Sequence, residues 1–195
     1  MSTPERPSPD ESSTETKINF QPTLENELVR AIPLKEEHFE QLYSAASDPL
    51  IWKQHPNKNR WQRVVFENYF KGAMESGGAF LVSDSATGEV IGSSRFSDYI
   101  ADKKSVSVGY TFFARSHWGT GHNYALKTLM LNHIFHYVDA VNFYIGAENK
   151  RSQISLERYG AKKIGEEEIA YYGETSKLNF VYQLTKAEWL SRGQV

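Results

Sequence analysis

Residues Val108 to Tyr137 constrain this chain more than any other stretch, because they read as strand, glycine loop and helix in direct succession. Val108-Gly109-Tyr110-Thr111-Phe112-Phe113 is aromatic and β-prone. Arg115-Ser116-His117-Trp118-Gly119-Thr120-Gly121-His122-Asn123 follows, and a helical run starts at about Tyr124. Glycines at the mouth of a helix let successive backbone N–H groups point outward. With the positive end of the helix dipole, those groups form a phosphate site. Arg115 and His117 stand where they would add positive charge. Two common nucleotide motifs are excluded. Tyr124 sits where a dinucleotide fingerprint needs its third glycine, and no Gly-Lys-Ser/Thr follows. A tight turn that binds nothing is the alternative reading.

The remaining elements follow from periodicity. Met1 to about Thr23 is rich in Ser, Thr, Pro and Glu, and is expected to be a disordered N-terminal tail. Residues 24–195 read as one domain. Leu28 to Ile32 alternates as a strand, and Lys35 to Ala46 has helical spacing. Leu50 to Arg60 has no clear period. Trp61 to Ser76 is a second helix ended by Gly77-Gly78. Ala79 to Ser83, Val90 to Phe96 and Ser105 to Phe113 are strands with short turns, hence an antiparallel meander. After the loop helix come a strand (Val141 to Ala147), a short helix (Asn149 to Tyr159, capped by Gly160), and strands Ile164 to Tyr172 and Leu178 to Leu184. Gly173 and Glu174 turn between those last two, and Lys186 to Arg192 adds a helical turn. The strand after the loop helix returns by a crossover, so it should lie parallel to the strand that feeds the loop. If one of that pair bends at a bulge, the two splay and leave a slot for a long thin ligand.

Composition narrows the function. Lys and Arg number 22 against 24 Asp and Glu, so the basic excess of a nucleic-acid binder is missing. There is no cysteine, which removes disulfides, thiolate catalysis and thiolate metal sites and fits a reducing, cytoplasmic location. No apolar run reaches membrane-spanning length. The oligomeric state is left open, a homodimer included.

The element order and the loop at His117 to Asn123 together resemble the GCN5-related N-acetyltransferase (GNAT) superfamily, in particular its ribosomal-protein N-terminal acetyltransferase branch. Three pieces carry the resemblance: Val108-Gly109-Tyr110 leading into Trp118-Gly119-Thr120-Gly121, then Asn149-Lys150-Arg151-Ser152, then Tyr159-Gly160-Ala161. It implies an α+β (three-layer α/β) fold. The sheet would be twisted, mixed and mostly antiparallel, with about seven strands, a central splayed parallel pair and helices on both faces. It implies acetyl-CoA as cofactor. Backbone of Thr111, Phe112 and Phe113 would pair with the pantetheine arm. Backbone N–H groups of about His117, Trp118, Gly119, Thr120, Gly121, His122 and Asn123 would hold the pyrophosphate, with Arg115 adding positive charge beside the cofactor. An amide at the bulge would polarise the thioester carbonyl. Asn149, Arg151 and Ser152 would contact the cofactor, with Asn149 bonding its arm and Ser152 near the sulfur as the catalytic hydroxyl.

Departures from the family pattern leave the general base unassigned. Leu156 occupies the position where many relatives carry a tyrosine acid. Ser107 and Ala125 stand where many carry glutamates. A peptide α-amine, with a pKa of about 8, reacts with less help than a lysine at about 10.4, which leans toward a low-pKa primary amine such as a protein N-terminus or a small molecule. His55 is the candidate base. Trp52, Arg60, Arg95 and Asp98 are candidate acceptor contacts, against a reading of the first two as helix-corner packing. His133 and His136 have a chelating spacing but no third partner, so no metal site is expected. Glu166 to Glu168 reads as a solvated edge, with attraction of a basic substrate the alternative. Two further classes stay open: a catalytically silent acyl-CoA-binding or regulatory domain, and a protein-binding module.

Overall fold

The computed structural model describes residues 17–170 and 175–193. The expected tail up to Thr16, the strand end at Tyr171 and Tyr172, and the Gly173-Glu174 turn therefore lie outside the described residues.

Among the described residues eight strands form one sheet: β1 (Leu24–Glu25), β2 (Val29–Pro33), β3 (Ala79–Asp84), β4 (Val90–Ile100), β5 (Ser105–Phe113), β6 (Ala140–Gly146), β7 (Lys162–Ile169) and β8 (Lys177–Thr185). Their order across the sheet is β1-β2-β3-β4-β5-β6-β8-β7. All neighbours pair antiparallel except β5 and β6, which are parallel. This is the expected mixed sheet with one added edge strand, β1. Two residues are too few to show a period-2 pattern in sequence. Glu166, Glu167 and Glu168 lie exposed on β7, the other edge, where charge discourages further strand pairing.

Five α-helices cover the sheet: α1 (Phe39–Ala46), α2 (Arg63–Glu75), α3 (His122–Ile134), α4 (Lys150–Tyr159) and α5 (Lys186–Ser191). None is long and apolar enough to cross a membrane. Two cores result. Leu126, Met130, Leu131 and Ile134 of α3, with Leu156 and Tyr159 of α4, bury one sheet face. Leu42, Phe66, Tyr69 and Phe70 of α1 and α2 bury the other. Ile18 and Phe20, expected in the tail, rest against the first core. The Phe20 ring lies 5.6 Å from that of Tyr99, and Gln21 Nε2 donates to Ala79 O at 2.8 Å. An apolar seat for two isolated side chains is a tertiary feature that local composition does not reveal.

Three features of this frame position the site. First, β5 and β6 pair only at Ser105↔Ala140, Val106↔Val141 and Ser107↔Asn142. Beyond that the two strands part, while β6 stays paired with β8 as far as Gly146↔Asn179. Second, the β4–β5 register shifts between Ser93↔Phe112 and Arg95↔Gly109, so β5 carries one extra residue there. Tyr110 takes a positive φ of 54° at this bulge. Side chains consequently change phase. Val106 and Val108 face the α3 core, whereas Phe112 faces the α1–α2 core and Phe113 returns to the first. Third, Gly119 (φ 76°) and Gly121 (φ 91°) turn the chain into α3. An added Cβ at Gly119 would meet nothing within 4 Å, so conformation rather than space selects glycine there.

Candidate active site

Ala114 N–H donates to Ile91 O of β4. In an antiparallel ladder alternate residues face the same neighbour. The N–H and C=O groups of Thr111 and Phe113 therefore turn to the opposite edge of β5, the edge that β6 has left. This backbone row is a template for an extended ligand. Phe113 O is already engaged by the Trp118 indole N–H at 2.9 Å.

The bulge is held from both faces. On the α2 side, the Tyr69 hydroxyl donates to Tyr110 O at 2.7 Å. On the α3 side, Lys127 Nζ donates to Thr111 Oγ1 at 2.6 Å and to Ser94 Oγ at 3.2 Å, and those two hydroxyls are 2.8 Å apart. Lys127 is buried with no carboxylate beside it among the described residues, and burial pushes its pKa down to about 7. Neither residue was singled out in the sequence. A lysine on an apolar helix face was the available signal for Lys127; Tyr69 gave none.

At the mouth of α3, Gly121 is the N-cap and no side chain caps the helix. Ala125 N–H makes the first helical bond, to Gly121 O. The N–H groups of His122, Asn123 and Tyr124 precede it and are free of helical partners. The flanking side chains turn to other work. Arg115 pairs with Asp48, and His122 Nε2 lies 2.8 Å from Asp84 Oδ2. His117 Nε2 lies 3.6 Å from the same oxygen. The Asp84 carboxyl is held well below the usual carboxylate range by His122 and by N–H groups of its own turn. Thus the loop presents backbone dipoles, while Arg115 and His117, expected to add charge, each face a carboxylate. Asn123 Nδ2 reaches Ser155 Oγ of α4 at 3.3 Å.

Across the gap, Asn149 caps α4 by accepting from Ser152 N–H at 3.2 Å. That bond uses Oδ1 and leaves Nδ2. Among the described residues, Ser152 Oγ has no hydrogen-bond partner. Arg151 reaches over the slot: its guanidinium lies 3.9 Å from the centre of the Trp118 ring, and Nη2 is 3.5 Å from Ile51 O. Leu156, a leucine where many relatives carry a tyrosine acid, is buried in the core.

The wall formed by α2 and the preceding loop is aromatic and cationic. Trp52 is 2% exposed and donates its indole N–H to Ala46 O at 2.8 Å, so it is a core residue. Arg60 lies buried 5.1 Å from the Tyr69 ring centre. Arg95 lies 3.8 Å from that of Tyr110 and donates to Gly72 O and Tyr69 O. Asp98 is exposed at φ 52° and accepts from Ser97 Oγ. Both ring nitrogens of His55 face donors: Asn57 N–H at 3.2 Å and the Arg60 guanidinium at 3.2 Å. Burial first, then cationic Arg60 and Arg151, hold this imidazole well below its usual range. His55 is thus neutral at pH 7 and a weak base. A cavity of about 800 Å³ opens at the end of β6, lined by Gln54, Pro56, Asn57, Gly146, Ala147 and Leu178 among others. None of Trp52, Arg60, Arg95 and Asp98 lines it.

Residues 29–162 match the model of the acetyltransferase (GNAT) domain. The fold is similar to a GCN5-related N-acetyltransferase from Brucella melitensis (18% identity, 87% of this chain and 81% of that one, TM-score 0.76). It is also similar to RimJ of Mycobacterium smegmatis in complex with CoA-disulfide (15%, 82% and 83%, 0.65). A third similar structure is spermidine N-acetyltransferase of Vibrio cholerae in complex with CoA and spermine (14%, 85% and 99%, 0.65). No curated protein matches by sequence.

Proposed function

Because this chain belongs to the GNAT acetyltransferases, whose acetyl donor is acetyl-CoA, we propose that it moves an acetyl group from acetyl-CoA to a primary amine by direct attack in a ternary complex. One observation carries the reading: β5 and β6 part after Ser107↔Asn142, beside a helix N-terminus with uncapped amides. In this assignment the backbone from Thr111 to Phe113 pairs with the pantetheine arm, and the amides from His117 to Asn123 take the pyrophosphate. The bulge at Tyr110 and Thr111 sets an N–H toward the thioester carbonyl, where charge develops during attack. Asn149 Nδ2 bonds the arm. Arg151 must swing off Trp118 or ride over the bound cofactor.

The chemistry asks little of a base. The attacking amine adds to the thioester carbon, the C–S bond breaks, and the amine proton leaves through water. His55, held neutral, accepts a proton weakly and has no spare lone pair in its present contacts. That favours an acceptor whose amine is already partly neutral near pH 7. Ser152 Oγ, unengaged, donates a hydrogen bond to the departing thiolate. The acceptor enters by the cavity beside the loop at residues 54–59, whose lining includes neither the buried Trp52, Arg60 and Arg95 nor the exposed Asp98. A ribosomal-protein terminus, a polyamine and other small amines all remain within the class. The weak base and the glutamate positions held by Ser107 and Ala125 favour one second reading, an acyl-CoA-binding regulatory domain.

Thermal denaturation with acetyl-CoA, with CoA and without ligand tests the first step. A selective binder raises the midpoint by mass action. No shift at millimolar cofactor removes both readings. Thiol release across an amine panel, with products identified by mass spectrometry, separates transfer from silent binding.

A further inference from the structure

Behind the glycine loop, three residues far apart in sequence converge. One donor atom each from Asp84, His117 and His122 lies within 4.8 Å of the others. Asp84 ends β3, His117 ends the short turn after β5, and His122 opens α3. The side chains are 9–14% exposed, shielded yet reachable.

The hydrogen bonds fix which atoms are offered. Thr120 has one hydroxyl proton. Its oxygen lies 2.7 Å from His117 O, a carbonyl that can only accept, so the proton is spent there. The same oxygen lies 2.8 Å from His122 Nδ1 and must therefore accept from Nδ1–H. That tautomer leaves the His122 Nε2 lone pair directed at Asp84 Oδ2, 2.8 Å away. Two lone pairs do not share such a distance without a positive centre between them. His117 Nδ1 lies 2.9 Å from the Ser116 hydroxyl, which can donate or accept there, and its Nε2 is aimed at the same carboxylate oxygen, 3.6 Å away. Asp84 Oδ1 is fully used by Ala86 N–H, Thr87 N–H and Thr87 Oγ1. Only Oδ2 remains to answer two imidazoles. A single metal ion seated among the three donors answers both imidazoles at once.

We propose that Asp84, His117 and His122 bind a divalent cation of borderline softness, such as zinc, which ties β3 to both ends of the glycine loop. Two imidazoles and one carboxylate are donors that suit zinc, cobalt or nickel better than magnesium or calcium. Bonds of about 2.0–2.1 Å at tetrahedral angles need donors about 3.3 Å apart. The 3.6 Å pair is near that spacing, the 2.8 Å pair must open, and the two imidazole donors lie within 4.8 Å of each other. Hydroxyls on both Nδ1 atoms orient the ligand rings as outer partners of metal-bound histidines do. Three protein donors leave a position for water or an anion. His133 and His136 are not this site: His133 Nε2 is bonded to Asn19 O, and His136 is exposed.

The test is optical titration of the chelator-treated chain with Co2+, with thermal denaturation in Zn2+ alongside. Visible d–d bands saturating at one equivalent are expected, with a midpoint raised by Zn2+. Asp84→Asn keeps the turn acceptor Oδ1, and His117→Ala removes a side chain outside both cores. Each should abolish the bands while circular dichroism stays native. Thr120→Val should weaken binding about 10–100-fold. Bands that survive Asp84→Asn and His117→Ala, or that vanish only in the His133→Ala/His136→Ala variant, overturn the assignment. So does a flat titration of the native chain.

Discussion

Replacing Lys127 by Met should change how the stability of this protein depends on pH. Lys127 sits under the β5 bulge, where among the described residues its partners are two hydroxyls. Burial lowers its pKa from 10.5 to about 7. In the unfolded chain the amine keeps its proton up to about 10.4. Between those values the unfolded state binds one proton more than the native state, so stability rises with pH. Below about pH 7 both states carry the proton, and the contribution is flat at its least favourable level. Each pKa unit is worth about 1.4 kcal/mol. Allowing for half-protonation of the native amine at pH 7, the gain from pH 7 to 9 is about 2 kcal/mol. For a domain of this size that is roughly 4–8 °C in Tm. Methionine has nearly the same shape and no charge, and the Ser94–Thr111 hydroxyl pair survives it. Urea denaturation of both proteins from pH 6.5 to 9.5 is the assay. The native chain should gain on Lys127→Met by about 2 kcal/mol between pH 7 and 9. Two parallel profiles would mean that Lys127 is charged throughout and reaches water, and the burial argument would fail.

Three other substitutions probe the site. Ser152→Ala should lower kcat far more than it raises the acetyl-CoA Kd from calorimetry; equal kcat in both proteins rejects the thiolate-donor role. Tyr69→Phe removes the hydrogen bond to Tyr110 O and should cost about 0.5–1.5 kcal/mol in urea denaturation. It should also slow turnover, because the bulge loses one of its two anchors; native turnover would detach the bulge from catalysis. Gly121→Ala forces a side chain to φ 91°, at roughly 1–2 kcal/mol, and should weaken CoA binding at the α3 mouth. Unaltered binding by calorimetry would show that the pyrophosphate lies elsewhere.

Much of the site could be read along the chain because its parts are local. The glycine loop, the Asn149 cap with Ser152 one turn on, and the Gly160 stop are short-range patterns whose conformations follow from residue type. The parallel relation of β5 and β6 followed from a crossover helix. Other features had no local signature. Alternation along Val108, Tyr110 and Phe112 predicts one shared face, and the bulge breaks it between those residues. His55 looked like a base because an imidazole is titratable near neutrality; two neighbouring arginines and burial make it a weak one. Arg115 was expected to add positive charge at the loop, and the tertiary structure sets Asp48 beside it.

By itself, then, the sequence determined the order of the main elements and the glycine mouth of α3, since periodicity and turn chemistry act over a few residues, while its motifs carried the resemblance to the family. Only the tertiary structure decided where β5 bends, that Lys127 is buried beneath the bend, and that Asp84 meets His117 and His122. Those outcomes depend on side chains brought together across the sheet, where burial and contact distance, not residue type, set charge and geometry.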